Sequence, residues 1–237
     1  NRGSAEPSAH PAGAPASLRT RALKAGAAAL HTRPPFDGFD IYLVGFHPMK
    51  DDPEKQFEAH HWCRQVNEDF AECVLFDGNT ADANLVGIEY IISERLFDDL
   101  PAEERPFWHP HNGEILSGQL IAPDLPEAAE HALLSDKMNS YGKTWHLWDT
   151  ATDDPLAKRL PLGEPMLAWS FVRDGEAKDW LLERRDRAMT LDTEAKRRAR
   201  CDLVAKAHPQ EGVDALKGRY ARPTSDIPGV VDRASGG

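Results

Sequence analysis

A sheet is first indicated by Glu72-Cys-Val-Leu-Phe-Asp77, which is followed by Gly78-Asn79 and then by the run from Asn84 to Ile92. Both runs are rich in valine, isoleucine, phenylalanine and tyrosine, a composition that is typical of strands. The Gly-Asn pair is a turn signal. This part of the chain therefore predicts two strands with a turn after the first.

Further elements lie on either side of these two strands. Asp40 to His47 is a β-branched and aromatic run that ends at Pro48, which predicts a strand. Pro53 to Asp69 has apolar residues among charges at helical spacing and predicts an amphipathic helix. The remaining predicted elements are strands over Glu114–Ile121, Lys143–Trp148 and Pro165–Val172, helices over Leu125–Met138 and Lys178–Ala205, and a short helix that starts at Ser93-Glu94.

The order of these elements predicts an α+β protein. Helices separate the strands without strict βαβ alternation, which favours a mixed or mainly antiparallel sheet flanked by helices over a doubly wound parallel fold. We expect a single α+β domain over 36–237 with an irregular C-terminal tail. Residues 1–18 are rich in Ala, Pro, Ser and Gly and predict a disordered arm. Residues 19–35 predict an N-terminal helix and a linker.

Composition narrows the possible partners. The net charge of −11 over 237 residues repels phosphate backbones, so we expect no nucleic-acid partner. No stretch approaches the roughly 20 apolar residues of a spanning helix, so we expect no transmembrane segment. Cys63, Cys73 and Cys201 include no CxxC pair, which leaves both reduced thiols and a Cys63–Cys73 disulfide open. The compartment is equally open, either cytoplasmic or exported after removal of a signal peptide.

The distinctive chemical feature is Trp108-His109-Pro110-His111-Asn112-Gly113-Glu114. Imidazole is a common metal ligand, and residues two apart on an extended strand point to the same face. Glu114 has the wrong parity for that face, and a bulge at Gly113 would restore it. The segment therefore predicts a three-ligand metal site. The alternative is a pair of histidines at a strand edge, bonded to backbone and solvent.

Other histidines extend this candidate site. His47 ends the first strand, and His146 lies in an aromatic-rich strand. Adjacent residues of a helix point about 100° apart, so we expect His61 rather than His60 to face inward from the predicted helix. The alternative for His61 and His146 is a packed core histidine. The candidate site as a whole contains His47, His61, His109, His111 and His146.

Other residue types are weaker candidates. Cys63 on a helix face is more typical of a small buried hydrophobe than of a nucleophile. Glu58, Glu89 and Glu114 are carboxylates without a spacing that pairs them. The basic runs in 183–187 and 196–200 predict a solvated, salt-bridged helix face.

Five ordered motifs carry a resemblance to a known family. They are Phe46-His47, Glu58-Ala-His-His-Trp-Cys63, Glu89-Tyr-Ile-Ile-Ser93, Trp108-His-Pro-His111 through Glu114-Ile-Leu-Ser-Gly118, and Tyr141-Gly-Lys-Thr-Trp-His-Leu-Trp148. From about Phe36 to Val231 the chain resembles the oil-body-associated protein family, which has plant, fungal and bacterial members. The resemblance implies that the family's motif histidines are the five grouped above, and that Glu114 is the acid after His-x-His. It also implies a link to lipid droplets, with no established reaction.

Two functions are compatible with these observations. The first is a metal-binding protein that holds one zinc, iron or copper ion and is a metal-dependent enzyme of hydrolysis or oxidation. Its predicted catalytic residue is Glu114, as general base or further ligand, and its predicted metal ligands are His47, His61, His109, His111 and His146. The second is a non-catalytic protein with a structural His/Trp core that binds a lipid surface or a protein partner. A homodimer is compatible with both.

Overall fold

Seven strands form one antiparallel sheet in the computed structural model, which describes residues 3–32 and 34–233. They are β1 Ile41–Pro48, β2 Gln56–Asn67, β3 Phe70–Phe76, β4 Leu85–Ile92, β5 His109–Pro110, β6 Tyr141–His146 and β7 Met166–Leu167. The sheet order is β1-β2-β3-β4-β6-β5, and β7 also pairs with β6. Every one of these pairings is antiparallel, so the predicted mainly antiparallel sheet is confirmed.

One face of the sheet carries the candidate site. A row of directly paired residues crosses the sheet from Leu43 in β1 through His61, Leu75 and Gly87 to His146 in β6. Side chains alternate faces along a strand, so residues two positions apart in each strand share the face of this row. The burial of β3 alternates strictly along its length, as expected for a strand with one face in the core. We call the face of this row the inner face.

The sheet curls, so that the end of β1 meets the segment that contains β7. Met49 pairs with Ala168 in an antiparallel bridge. The backbone N–H of Trp169 donates to the Pro48 carbonyl at 2.8 Å, and that of Lys50 donates to the Leu167 carbonyl at 2.8 Å. The curl brings side chains from distant strands of the inner face together.

Helices complete the α+β fold that the sequence predicts. They are α1 Leu18–Leu30, α2 Glu94–Asp98, α3 Asn112–Leu116, α4 Glu127–Lys137, α5 Asp179–Met189 and α6 Thr193–Ala199, with 3-10 helices over Pro34–Phe36, Arg105–Phe107 and Cys201–Lys206. Two further strands, β8 Arg173–Asp174 and β9 Ser225–Asp226, pair with each other. Of the helices within residues 3–32 and 34–233, none combines the length and apolar composition that crossing a membrane requires.

The main hydrophobic core lies between the inner face and three helical segments. Ala59 and Leu75 of the sheet pack in one cluster with Ile115 of α3, Leu134 of α4 and Leu203 of the last 3-10 helix. All five side chains are fully buried. Each leucine or isoleucine buried in this way contributes about 1.5–3 kcal/mol. The core thereby anchors α3, which directly follows His109-Pro110-His111.

The predicted helix over Pro53–Asp69 is wrong, because this segment forms β2. The predicted helix rested on Phe57, His61, Cys63 and Val66, but Val66 is exposed. Phe57, Ala59, His61 and Cys63 instead recur at every second residue, the period of a strand, and all four are buried. β2 pairs along one edge with β1 and along the other with β3. This pairing on two edges overrides the local helical pattern.

The predicted strand over Glu114–Ile121 is also wrong. Asn112–Leu116 forms α3, and the chain then turns at Gly118, whose φ is +79°. The bulge expected at Gly113 does not form. This glycine instead packs so closely on Val172 that an added Cβ would lie 2.6 Å from the Val172 Cα. In α3, Glu114 lies three residues after His111, a spacing that places both on one side of a helical turn.

Two further boundaries differ from the prediction. The segment 178–205 is not one helix, because Thr190 adopts the left-handed conformation at the end of α5 and the Asp192 side chain caps α6. The predicted strand over Pro165–Val172 is shorter, with only Met166–Leu167 in β7. The other predicted elements, β1, β3, β4, β6, α1, α2 and α4, are confirmed with shifts at their ends.

Two arginines of the basic runs are buried rather than solvated. Arg200 donates to the carbonyls of Ile115 and Leu120 at 3.0 and 2.8 Å, and it pairs with the buried Glu130 at 3.1 Å. Burial lowers the pKa of Arg200 to about 10, although Glu130 acts in the opposite direction. Arg185 is fully buried as well. Removing one partner of such a pair typically costs about 3–5 kcal/mol, so Arg200 holds α3 and the turn after it firmly in place.

Cys63 and Cys73 form a disulfide between β2 and β3, at positions that pair directly in the sheet. Of the two alternatives open from the sequence, the structure therefore has the disulfide. Cys201 is free and exposed. Cys73 in turn pairs directly with Glu89 of β4, so the disulfide lies beside the candidate site on the inner face.

Part of the predicted N-terminal arm contacts the loop between β3 and β4. The Ala5 N–H donates to the Asn79 side chain at 2.9 Å, and the Ser8 N–H donates to the Asp77 carboxylate at 3.0 Å. The division of the chain into arm, helix with linker, and main domain stays a prediction. Of those predicted segments, residues 1, 2, 33 and 234–237 lie outside the residues that the structure describes.

Candidate metal centre

Five histidines meet in one buried cluster. His47, His61, His109 and His146 project from β1, β2, β5 and β6, and His111 directly precedes α3. All five are between 0 and 3% exposed. The ring of His47 lies 5.1 Å from that of His61, 5.9 Å from His109 and 5.3 Å from His146, measured between centroids. The structure thus brings together every histidine that the sequence grouped.

A carboxylate lies at the centre of the cluster. Glu89 of β4 is buried, and its Oε2 atom is 3.2 Å from His61 Nε2. Its Oε1 atom is 3.4 Å from His111 Nε2 and 3.5 Å from His109 Nε2. Three imidazoles from three different elements therefore surround one acid.

Gly142 of β6 leaves the space in which three of these atoms converge. A Cβ added to Gly142 would lie 2.3 Å from Glu89 Oε1, 2.6 Å from His111 Nε2 and 2.7 Å from His109 Nε2. Any other residue at this position would collide with all three side chains. Two imidazole nitrogens and one carboxylate oxygen thus face a common point above a glycine.

The orientation of His111 is fixed by Ser140. The Ser140 hydroxyl donates its only proton to the Lys137 carbonyl at 2.8 Å and therefore accepts from His111 Nδ1, 2.7 Å away. When His111 is neutral, its Nε2 atom consequently carries the lone pair, which faces Glu89. Metal-binding histidines typically donate their other N–H in this way.

His47 and His146 form the other half of the cluster. His47 Nδ1 and His146 Nε2 are 3.0 Å apart, a hydrogen bond between two imidazoles. Phe57 stacks on the His146 ring with 5.0 Å between the centroids. A cavity of about 20 Å³, enough for one water molecule, is lined by His146, Phe57 and Arg184 among others.

Glu114 approaches the cluster from α3. Its Oε1 atom is 3.8 Å from His111 Nε2, and its Oε2 atom has no hydrogen-bond partner among the described residues. His109, His111 and Glu114 each offer one ligand atom within 4.8 Å of the others, and so do His47, Glu89 and His109.

Comparison with known proteins assigns the chain to a family. The family described as "Protein of unknown function (DUF1264)" matches residues 33–204. Oil body-associated protein 2A of Zea mays is 37% identical over 227 residues, which cover 94% of this chain and 88% of the relative. The chain belongs to the oil body-associated protein family. Oil body-associated proteins 1B and 2A of Arabidopsis thaliana are 33% and 35% identical, over 83% and 82% of this chain and 79% and 78% of the relatives. No solved structure matches the chain.

In this member of the oil body-associated family, the two carboxylates of the cluster have opposite properties. Burial alone would raise the pKa of Glu89, but the neighbouring side chains of His109, His111 and His61 hold that pKa well below its usual value. Burial, together with the charge of Glu89, raises the pKa of Glu114 well above its usual value. The ionised form is therefore favoured at Glu89, whereas the protonated form is favoured at Glu114.

Three of the histidines are held in the neutral form. Burial lowers the pKa of His109 to about 4, although Glu89 acts in the opposite direction. Burial lowers the pKa of His146 to about 3, with a further contribution from His61. Burial and the neighbouring His61 likewise place the pKa of His47 well below its usual value. Neutral imidazole is the form that binds metal ions.

Several buried polar atoms of the cluster have no hydrogen-bond partner among residues 3–32 and 34–233. These atoms are His61 Nδ1, His109 Nδ1 and Nε2, His146 Nδ1 and Glu114 Oε2. An unsatisfied buried polar group costs about 1–3 kcal/mol, and such groups are few in native proteins. Their concentration in one place is typical of a site that binds a ligand.

Glu89 is the site residue that spacing arguments did not single out. The available signal was a lone acid in the otherwise apolar strand Leu85–Ile92, on the same inner face as His61 and His146. The choice of His61 over His60 holds, although both lie on a strand. His60 points to the other face and bonds the Tyr42 hydroxyl at 2.7 Å. The assignment of Glu114 as catalytic, and of the histidines as ligands, stays a prediction.

The low pKa of His146 leads to a testable pH dependence in metal-free protein. The unfolded chain takes up a proton at His146 near pH 6.5, whereas the folded protein does so only near pH 3. The free energy of unfolding therefore falls as the pH is lowered, and His146 accounts for roughly 2 kcal/mol of the loss between pH 7 and pH 5. In a His146→Gln variant that loss should be smaller by this amount, as measured by urea unfolding with a chelator present. The exposed His31→Gln exchange should keep the wild-type loss, and an equal loss in all three proteins would contradict a depressed His146 pKa.

Proposed function

We propose that this protein binds a divalent or redox metal ion in the histidine cluster. Glu89, His109 and His111 are the central ligands, and Glu114 is the neighbouring acid–base group. The convergence of three donor atoms above Gly142 carries the proposal. A set of two histidines and one carboxylate is typical of open zinc and iron sites.

The distances between donor atoms support this assignment. Two ligands that each lie about 2.0–2.1 Å from one ion are separated by about 2.9–3.4 Å in tetrahedral or octahedral geometry. Glu89 Oε1 lies 3.4 Å from His111 Nε2 and 3.5 Å from His109 Nε2. Movements of a few tenths of an ångström would place all three atoms around one ion.

The hydrogen bonds and charges around the ligands also support the proposed metal site. Ser140 orients His111 so that the Nε2 lone pair of the neutral ring faces the carboxylates. A cation between this lone pair and the ionised Glu89 carboxylate would be attracted to both. The same cation would also bind His109 Nε2, which otherwise has no hydrogen-bond partner among the described residues.

The chemistry of the site follows from its two carboxylates. A metal ion held here would supply Lewis-acid chemistry, or oxidation chemistry if it is redox-active. In the metal-free protein the raised pKa of Glu114 favours its protonated form. A cation held beside it would favour the carboxylate, which would then serve as a further ligand or as a general base. We therefore propose a metal-dependent hydrolase or oxidase, with zinc, iron or copper as the ion.

Metal content tests this proposal directly. Wild-type protein supplied with Zn²⁺, Fe²⁺ or Cu²⁺ and then desalted should retain at least one ion per chain, as measured by mass spectrometry of total metal. The His109→Gln/His111→Gln variant should lose at least 90% of that metal, because two of the three central ligands are gone.

A matched control separates loss of the site from loss of histidine in general. The His131→Gln/His208→Gln variant removes two histidines that lie outside the cluster and are 32% and 60% exposed. It should retain the wild-type metal content. Near-zero metal in the wild type, or equal metal in all three proteins, would refute the proposal.

A second function is favoured by α1, which is a basic helix without a buried residue. Arg19, Ala22, Leu23, Gly26, Ala27 and Leu30 follow one another at helical spacing and line an open groove together with His31 alone. Acidic residues are absent from positions 7–36 of a chain whose net charge is −11. The named relatives are oil body-associated proteins. We propose that α1 lies on an anionic lipid surface, with its leucines inserted and its basic residues at the headgroups.

Vesicle flotation tests the role of α1. The wild type should float with vesicles that contain 30% phosphatidylserine, and it should float less with pure phosphatidylcholine. A Leu23→Glu/Leu30→Glu variant should lose most of this binding, because two charges replace the leucines that insert. Leu156→Glu/Leu162→Glu, which changes two exposed leucines outside α1, should bind as the wild type does. Undiminished binding of the α1 variant would exclude this helix as the contact.

A further inference from the structure

The cluster holds more ligand atoms than one metal ion uses. Seven side chains with a metal-binding nitrogen or oxygen are buried together, each no more than 4% exposed. They are His47, His61, Glu89, His109, His111, Glu114 and His146. A zinc ion takes about four ligands, and an iron ion about six with some positions left to water or substrate.

The two oxygens of Glu89 face different groups of ligands. Oε1 lies beside His109 and His111, at 3.5 and 3.4 Å. Oε2 lies beside His61, at 3.2 Å. A carboxylate with ligand nitrogens next to both oxygens has the arrangement that a carboxylate bridging two ions requires.

Ligand atoms lie on both sides of Glu89, and His47, Glu89 and His109 also form a group whose ligand atoms lie within 4.8 Å of one another. On the Oε1 side, His109, His111 and Glu114 offer ligand atoms within 4.8 Å of one another. On the Oε2 side, the ring of His61 lies 5.1 Å from that of His47.

Two pairs of ligand atoms around His47, His61 and His146 have the spacing of ligands that share an ion. His47 Nδ1 is 3.0 Å from His146 Nε2, and His61 Nε2 is 3.2 Å from Glu89 Oε2. Both distances fall in the range of about 2.9–3.4 Å expected for adjacent ligands of one ion.

We infer that the cluster is a dinuclear site in which Glu89 bridges two metal ions. The first ion is held by His109, His111, Glu114 and one Glu89 oxygen. The second ion is held by His47, His61, His146 and the other Glu89 oxygen. This inference rests on the proposed metal binding and extends it from one ion to two. Paired ions about 3.5–4 Å apart bind and polarise a substrate oxygen between them, so the substrate class is one that presents an oxygen ligand to both.

Stoichiometry and magnetic coupling together test the inference on unmodified protein. Metal-free wild type is loaded with Cu²⁺, desalted, and measured both for copper per chain and for unpaired spins by electron paramagnetic resonance. We expect two copper ions per chain and a spin count well below two, because neighbouring ions bridged by a carboxylate couple magnetically. Two ions with a full, uncoupled spin count would overturn the bridge.

The remaining outcomes separate this inference from the proposed function. One ion per chain would overturn the dinuclear site and leave metal binding intact, whereas no bound ion would overturn both. A His61→Gln/His146→Gln variant should reduce the copper from two ions to one. The His131→Gln/His208→Gln control should keep two, and a fall to one in that control would assign the second ion to the surface and overturn the inference.

Discussion

The interaction on which this structure depends is the contact between the buried carboxylate of Glu89 and three imidazoles. An ionised carboxylate in a protein interior is strongly unfavourable unless polar partners surround it. Here His61, His109 and His111 provide those partners, and they hold the pKa of Glu89 well below its usual value. The three histidines come from β2, β5 and the start of α3, so the site exists only when these elements are assembled.

The rest of the fold explains how they are assembled. His47 lies in β1 and His146 in β6, which are not neighbouring strands. The curl of the sheet brings these two side chains into hydrogen-bond contact at 3.0 Å. Gly142 removes the side chain that would otherwise occupy the point between the ligands. The buried pair of Arg200 and Glu130 secures the segment after α3. The packing that stabilises the fold around α3 therefore also positions the ligand atoms of the cluster.

The sequence predicted which histidines come together better than it predicted the local structure. These histidines could be recognised from residue type and spacing. The strand β2 was mistaken for a helix, because its mixture of apolar and charged residues also suits an amphipathic helix and only the pairing with β1 and β3 decides between the two. Glu89 was not paired with the histidines for the same reason. Its partners lie 20 or more residues away along the chain, so their contact depends on the register of the sheet.

The proposed metal site requires that Glu89, His109 and His111 bind one ion. Anomalous X-ray scattering from Zn²⁺-loaded crystals, recorded on both sides of the zinc edge, shows where the ion lies. A strong zinc peak is expected about 2.0–2.2 Å from the Nε2 atoms of both histidines and from a Glu89 oxygen. Zinc peaks only at surface histidines such as His131, with none inside the cluster, would contradict it.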